Sequence, residues 1–227
     1  MLAGCGRFNF DPTGGADDAG GNDGGNPDAM IDAPMSTTAC VDPGNGDTFA
    51  TAGTPCQPWG TLNNDRVTVT QSGGAITMTP PPNVQGPAAA CTHTAIPFSA
   101  GVMLEVSSVL NNVAGSQTFF TIRDVAGAQN SFTIFEGAGS GMLRPSDTAM
   151  PAQVGPSYDP VAHRFWRMRP NAGKVVFEAS PDASTWSTLA VSTLPVPVTV
   201  TVSFGALEVP QIANPGTARF ESINTCP

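Results

Sequence analysis

The side chains able to do chemistry are few and scattered. His93 and His163 are the only histidines and stand far apart in the sequence, so they are read as structural or exposed residues, not as a metal pair. Glu105 is followed by VSSVL, Glu136 by GAGSG and Glu178 by ASPDA. No glutamate therefore has a second acid two residues on, the strand spacing that puts two carboxylates on one face for acid–base work. G-x-S-x-G, H-E-x-x-H and the phosphate loop do not occur. The motifs lead us to expect no catalytic residue, no cofactor and no enzyme; Glu105 or Glu178 paired through space with another acid is the remaining catalytic alternative.

Oxygen ligands do gather near the start, at Asp17, Asp18, Asn22, Asp23 and Asp28 among glycines. They lack the alternation and the bidentate glutamate of an EF-hand loop, and the glycine-rich unit does not repeat as calcium-binding β-helices require. We read a solvated spacer and expect no metal.

Five cysteines complete the inventory. Cys40, Cys56, Cys91 and Cys226 allow three pairings, and an even number in an exported chain reads as two disulfides. Zinc would need close pairs such as C-x₂-C, which are absent. We expect Cys40–Cys226, clasping the first and last strands, and Cys56–Cys91, closing a local loop. The fifth, Cys5, follows Leu2-Ala3-Gly4. That order resembles the lipobox of bacterial lipoproteins, which implies a lipid on Cys5, residues 1–4 as the remnant of a signal peptide and a place in the cell envelope, at the outer membrane or cell surface. No basic or apolar signal region precedes the match, so a start inside that region and a chance tetrapeptide both fit. Residues 5–39 hold six aspartates and three sizeable aliphatic residues after Phe10, namely Met30, Ile31 and Met35. Such a stretch cannot offset its ordering entropy and is expected to be a disordered acidic linker.

The chain of 227 residues carries a net charge of −9 with only 12% charged residues. With no basic cluster to neutralise phosphates, nucleic acid is excluded as a partner. No apolar run of 18 residues occurs, so no helix is expected to span a membrane.

What must position these groups is a set of strands. RVTVTQSGGAITMTP alternates Val67 and Val69, then Ile76 and Met78, around Gly73-Gly74, which reads as a hairpin. GVMLEVSSVL, QTFFTIRD, NSFTIFEG, HRFWRMRP, GKVVFEAS, STWSTLAV, VPVTVTVSFGAL and TARFESINT continue the pattern. No amphipathic helical period of useful length appears. Many short strands argue for an all-β sandwich or barrel over residues 40–227.

HRFWRMRPNAGKVVFEASPDASTWSTLA resembles a recurring segment of bacterial domains in the concanavalin A-like lectin/glucanase superfamily, through Arg164, Trp166, Arg167, Ser180, Asp182 and Trp186. GDTFA, with Trp59 ten residues past Phe49, and the late VTVSFGAL and TARFESINT strands extend the match. The resemblance implies a two-sheet antiparallel jelly-roll sandwich, here preceded by the disordered N-terminal tail. Glucanases of the superfamily carry a Glu-x-Asp-x-Glu-type strand, which this chain lacks.

Within the segment, Trp166 and Met168 share a strand face with Arg164 and read as core. His163, Phe165, Arg167 and Arg169 share the other, read as exposed. Trp59, Tyr158, Trp166 and Trp186 are the rings able to stack on a sugar. Trp59 in CQPWG and Tyr158 in PSYDP lie in loop-like sequence, so these two are the expected exposed ligand-binding residues. The function expected is a surface-tethered, monomeric, non-catalytic binding module for carbohydrate, its partners the membrane through the anchor and a polysaccharide. The alternative is a structural or adhesion lipoprotein that contacts a surface protein.

Overall fold

A computed structural model describes residues 45–111, 114–127, 130–137, 141–208 and 211–224. Cys5, Cys40, Cys226, the acidic linker and its aspartates lie outside the described residues, and so does the Cys40–Cys226 pairing.

The described chain is all β, with no α-helix. Thirteen strands follow one another: β1 Thr61–Asp65, β2 Thr68–Ser72, β3 Ala75–Thr79, β4 Ala88–Pro97, β5 Val102–Leu110, β6 Ser116–Asp124, β7 Ser131–Gly137, β8 Met142–Asp147, β9 Phe165–Asn171, β10 Lys174–Ser180, β11 Ser187–Pro195, β12 Thr199–Glu208 and β13 Gly216–Ile223. They form two antiparallel sheets, one of six strands in the order β1-β4-β12-β6-β7-β8 and one of seven in the order β11-β10-β9-β5-β13-β3-β2. This is the expected jelly-roll sandwich.

Alternation drives each strand onto its sheet. In β12, Val200, Val202, Phe204 and Ala206 are buried while Thr199, Thr201 and Ser203 face outward, as period-two patterning requires. The β2–β3 hairpin turns at Gly73 and Gly74, with φ of 59° and 75°. Two consecutive positive φ values define the tight turn whose twist suits paired strands, and glycine takes them without strain. The core lies between the sheets, and Phe204 joins its halves. Its ring packs 4.8 Å from Phe220 of the facing sheet, 5.3 Å from Trp59 and 5.7 Å from Phe49.

Cys56 and Cys91 are bonded. The bridge ties the loop before β1 to the middle of β4. At the other end of the six-stranded sheet, residues 153–158 run along β8: Gln153 N–H donates to Pro145 O, Leu143 N–H to Pro156 O and Tyr158 N–H to Gly141 O, at 2.7–3.0 Å.

Candidate functional site

The outer face of the six-stranded sheet carries side chains in rows. Register places Thr61 opposite Thr92, Thr92 opposite Ser203, Ser203 opposite Thr121, Thr121 opposite Thr133 and Thr133 opposite Ser146. Six hydroxyls thus cross all six strands in line. Thr92 and Ser203 share a hydrogen bond of 3.0 Å, and Thr121 and Thr133 one of 2.9 Å. Strands lie about 4.8 Å apart, so the row extends over roughly 24 Å. Such a line offers donors and acceptors without net charge.

The adjacent row runs Asn63, Ala90, Gly205, Phe119, Phe135, Arg144. Phe119 and Phe135 are half-buried, directly opposed, and face outward. The Arg144 guanidinium lies 5.9 Å from the Phe135 centroid, a cation–π contact that holds the end of the row. Two rings beside a line of hydroxyls can stack on the apolar face of a sugar while its hydroxyl edge is hydrogen-bonded.

Neither phenylalanine was singled out from the sequence. The available signal was QTFFTIRD: adjacent aromatics in an alternating strand point to opposite faces, so Phe120 enters the core and Phe119 must point away.

The rings expected to be exposed are not. Trp59 is 6% exposed and belongs to the core; its indole N–H donates to Asn45 O at 2.9 Å and its ring meets His93 edge-on at 5.4 Å. The disulfide at Cys56 draws that loop inward. Tyr158 is half-buried and packs edge-on against Trp166 at 6.2 Å, beside His163. Its hydroxyl is buried without a hydrogen-bond partner, and burial raises its pKa, helped by the charge of Glu136.

The outer face of the seven-stranded sheet also departs from expectation. Trp166 and Met168 are core, as alternation requires, but Phe165 and Arg167 are buried too, each 5% exposed. Glu178 stands opposite Arg167 across β9 and β10 and accepts from Arg167 Nε at 2.7 Å and from Arg169 Nε and Nη2 at 3.0 and 2.9 Å. The turn after β10 supplies the cover. Asp182 accepts from the backbone N–H groups of Thr185 and Ser184 at 2.7 and 2.9 Å, which hold its carboxyl well below the usual range. The turn so fixed lays Trp186 over Arg167. This is a covered ion-pair network, not a sugar platform.

The remaining carboxylates follow. Glu105 pairs with Arg164 and accepts from Ser222 Oγ at 2.8 Å. Glu136 points inward from β7; burial pushes its carboxyl up to about 7, and its Oε2 has no hydrogen-bond partner. Among the described residues no three His, Cys, Asp or Glu side chains gather to hold a metal ion, and no helix is long and apolar enough to cross a membrane.

No protein-family model matches the sequence, and no curated protein does. Solved structures share the fold. A β-glucanase of Bacillus licheniformis superposes with a TM-score of 0.52 at 8% identity, over 78% of this chain and 95% of that one. A glycoside hydrolase family protein from Mycobacterium thermorestibile gives 0.53 at 14% identity, over 78% and 98%. A transglycosylase in complex with NAG gives 0.52 at 9% identity, over 76% and 81%. The fold is thus the concanavalin A-like jelly roll. Identities this low transfer no residue role. The expectation that the chain is not an enzyme is corrected by these neighbours: hydrolases and a transglycosylase share the fold.

Proposed function

We propose that the chain holds an extended, uncharged polysaccharide against the outer face of its six-stranded sheet. The observation that carries this reading is the unbroken hydroxyl row from Thr61 to Ser146 beside the outward rings of Phe119 and Phe135. Hydroxyls there replace water around sugar hydroxyls, and the two rings supply apolar contact. Neighbours of this fold include a β-glucanase and a transglycosylase in complex with NAG, which supports the same ligand class. Among the described residues the exposed large apolar side chains are five valines, Val125, Val154, Val161, Val191 and Val198, with no exposed large aromatic, Leu, Ile or Met among them, which does not favour the protein-contact alternative. We further propose that Cys5 carries a lipid and that residues 5–39 tether a monomeric jelly roll to the cell envelope; the Leu2-Ala3-Gly4-Cys5 order and the acidic linker sequence support this.

A glycan array with the isolated protein, repeated with Phe119→Ala/Phe135→Ala, tests the first proposal. Binding of neutral glycans should fall tenfold or more in the double variant while folding persists, since each outward ring contributes only about 1 kcal/mol to stability. An array without neutral-glycan hits would refute it. Reducing ends released from the bound glycan would show cleavage in addition to binding. Detergent partitioning of the full-length chain, lost in Cys5→Ala, tests the anchor.

A further inference from the structure

The outer face of the six-stranded sheet is not uniformly polar. In the second row Gly205 stands between Ala90 and Phe119 and gives the row no side chain there, and a depression lies on this face. The depression measures about 430 Å³ and is lined by Asn63, Asp65, Ala88, Ala90 and Phe119, among others. Its chemistry is mixed in a particular way. Alanine methyls and one edge of a phenyl ring make an apolar floor and wall. Asn63, on the opposite wall, is exposed; its Nδ2 donates to Thr92 Oγ1 at 3.4 Å, which leaves a second N–H donor and the amide oxygen acceptor. Asp65 is exposed and doubly hydrogen-bonded by its neighbour Arg66, at 2.9 and 2.8 Å, so its charge is matched at the rim.

Resting on the glycan-binding reading above, we propose that this trough seats the acetamido group of a 2-acetamido sugar within the bound chain. An acetamido group needs an apolar seat for its methyl, a donor for its carbonyl and an acceptor for its N–H, and Ala88 with Ala90, Phe119 and Asn63 meet these needs together. A sugar hydroxyl placed there would be stripped of water against alanine methyls without a full set of partners. A protonated amine would meet a carboxylate whose charge Arg66 already matches. The hydroxyl row beside the trough recognises sugars in general, and the trough selects among them. At Gly205, in the same row, a Cβ would lie 2.0 Å from the backbone O of Ala89, so the paired strands admit no side chain there.

Calorimetric titration of the full chain with three tetrasaccharides tests the inference: an N-acetylated β-1,4-linked glucosamine oligomer, its fully deacetylated counterpart and the unsubstituted glucose oligomer. The N-acetylated ligand should bind about tenfold tighter than either other, the discrimination a buried methyl-sized group supplies. Ala90→Leu, which fills the trough, should bring the N-acetylated and unsubstituted ligands to the same affinity and keep the urea midpoint. Equal wild-type affinity for the acetylated and unsubstituted oligomers, tighter binding of the deacetylated one, or an Ala90→Leu variant that keeps its preference would each overturn the acetamido assignment while the glycan face stands. Absence of binding to all three would overturn both.

Discussion

The indole of Trp186 covers the guanidinium of Arg167, whose Cζ lies 3.7 Å from the ring centroid. Beneath this cover Glu178 is fully buried between Arg167 and Arg169. Breaking a buried pair leaves a charge uncompensated, so Glu178→Ala should cost about 3–5 kcal/mol in urea unfolding. Arg167→Met/Glu178→Leu removes both buried charges and should be closer to wild type than Glu178→Ala alone. A smaller loss in Glu178→Ala than in the double variant would show that the network is solvated.

The Cys56–Cys91 bond spans a sequence separation of 35. Constraint of the unfolded chain by a loop of that length is worth about 4 kcal/mol. Cys56→Ala/Cys91→Ala should lose close to that in equilibrium unfolding and should loosen Trp59, visible as a red-shifted, more quenchable indole emission. Unchanged emission would separate the bridge from the placement of Trp59.

Glu136 makes stability depend on pH in an unusual direction for a carboxylate. Burial raises its pKa from 4.5 to about 7, so between these values the folded state binds more protons than the unfolded one, and stability falls as pH rises. About 2–3 kcal/mol should be lost from pH 4.5 to 7. His93 and His163 are both pushed down by burial and act oppositely, losing stability as pH falls, so the comparison needed is wild type against Glu136→Gln. The difference in unfolding free energy should slope across pH 4.5–7 and flatten above; a flat difference throughout would show the carboxyl to be solvated.

The β9–β10 hairpin turns at Ala172 and Gly173, with φ of 48° and 76°. Alanine is strained there, whereas asparagine and glycine tolerate the left-handed region. Ala172→Asn or Ala172→Gly should raise stability by about 0.5–1 kcal/mol, read as a higher thermal midpoint, making this a rare position where a single substitution at an exposed turn helps.

Strand positions were legible where polar and apolar residues alternate without interruption. RVTVTQSGGAITM shows Val67, Val69, Ile76 and Met78 turned inward and a glycine pair at the bend, which needs no information from elsewhere in the chain. Arg167 could not be read in this way. Its burial depends on Glu178 across the ladder and on Trp186, nineteen residues later, which the turn at Asp182 brings over it. Trp59 misled for a similar reason: CQPWG has loop composition, but its cysteine bonds to Cys91 and draws the ring inside. The candidate glycan face is not legible by residue type, which points to Trp and Tyr. The rings that matter are phenylalanines, and only strand parity distinguishes Phe119 from the core residue Phe120 beside it.

The segment alongside β8 bears on how copies of this chain behave when crowded. A sheet that ends in a bare strand presents a row of amides and carbonyls onto which another molecule can zip. Here Leu143 N–H and the carbonyls of Gly141 and Pro145 are already taken by residues 153–158, and that segment carries Pro156, with Pro151 and Pro160 close on either side, residues that have no amide hydrogen to offer a newcomer. Strand addition at this end of the molecule is thereby hindered by a proline-rich segment, in a chain whose charged content is low.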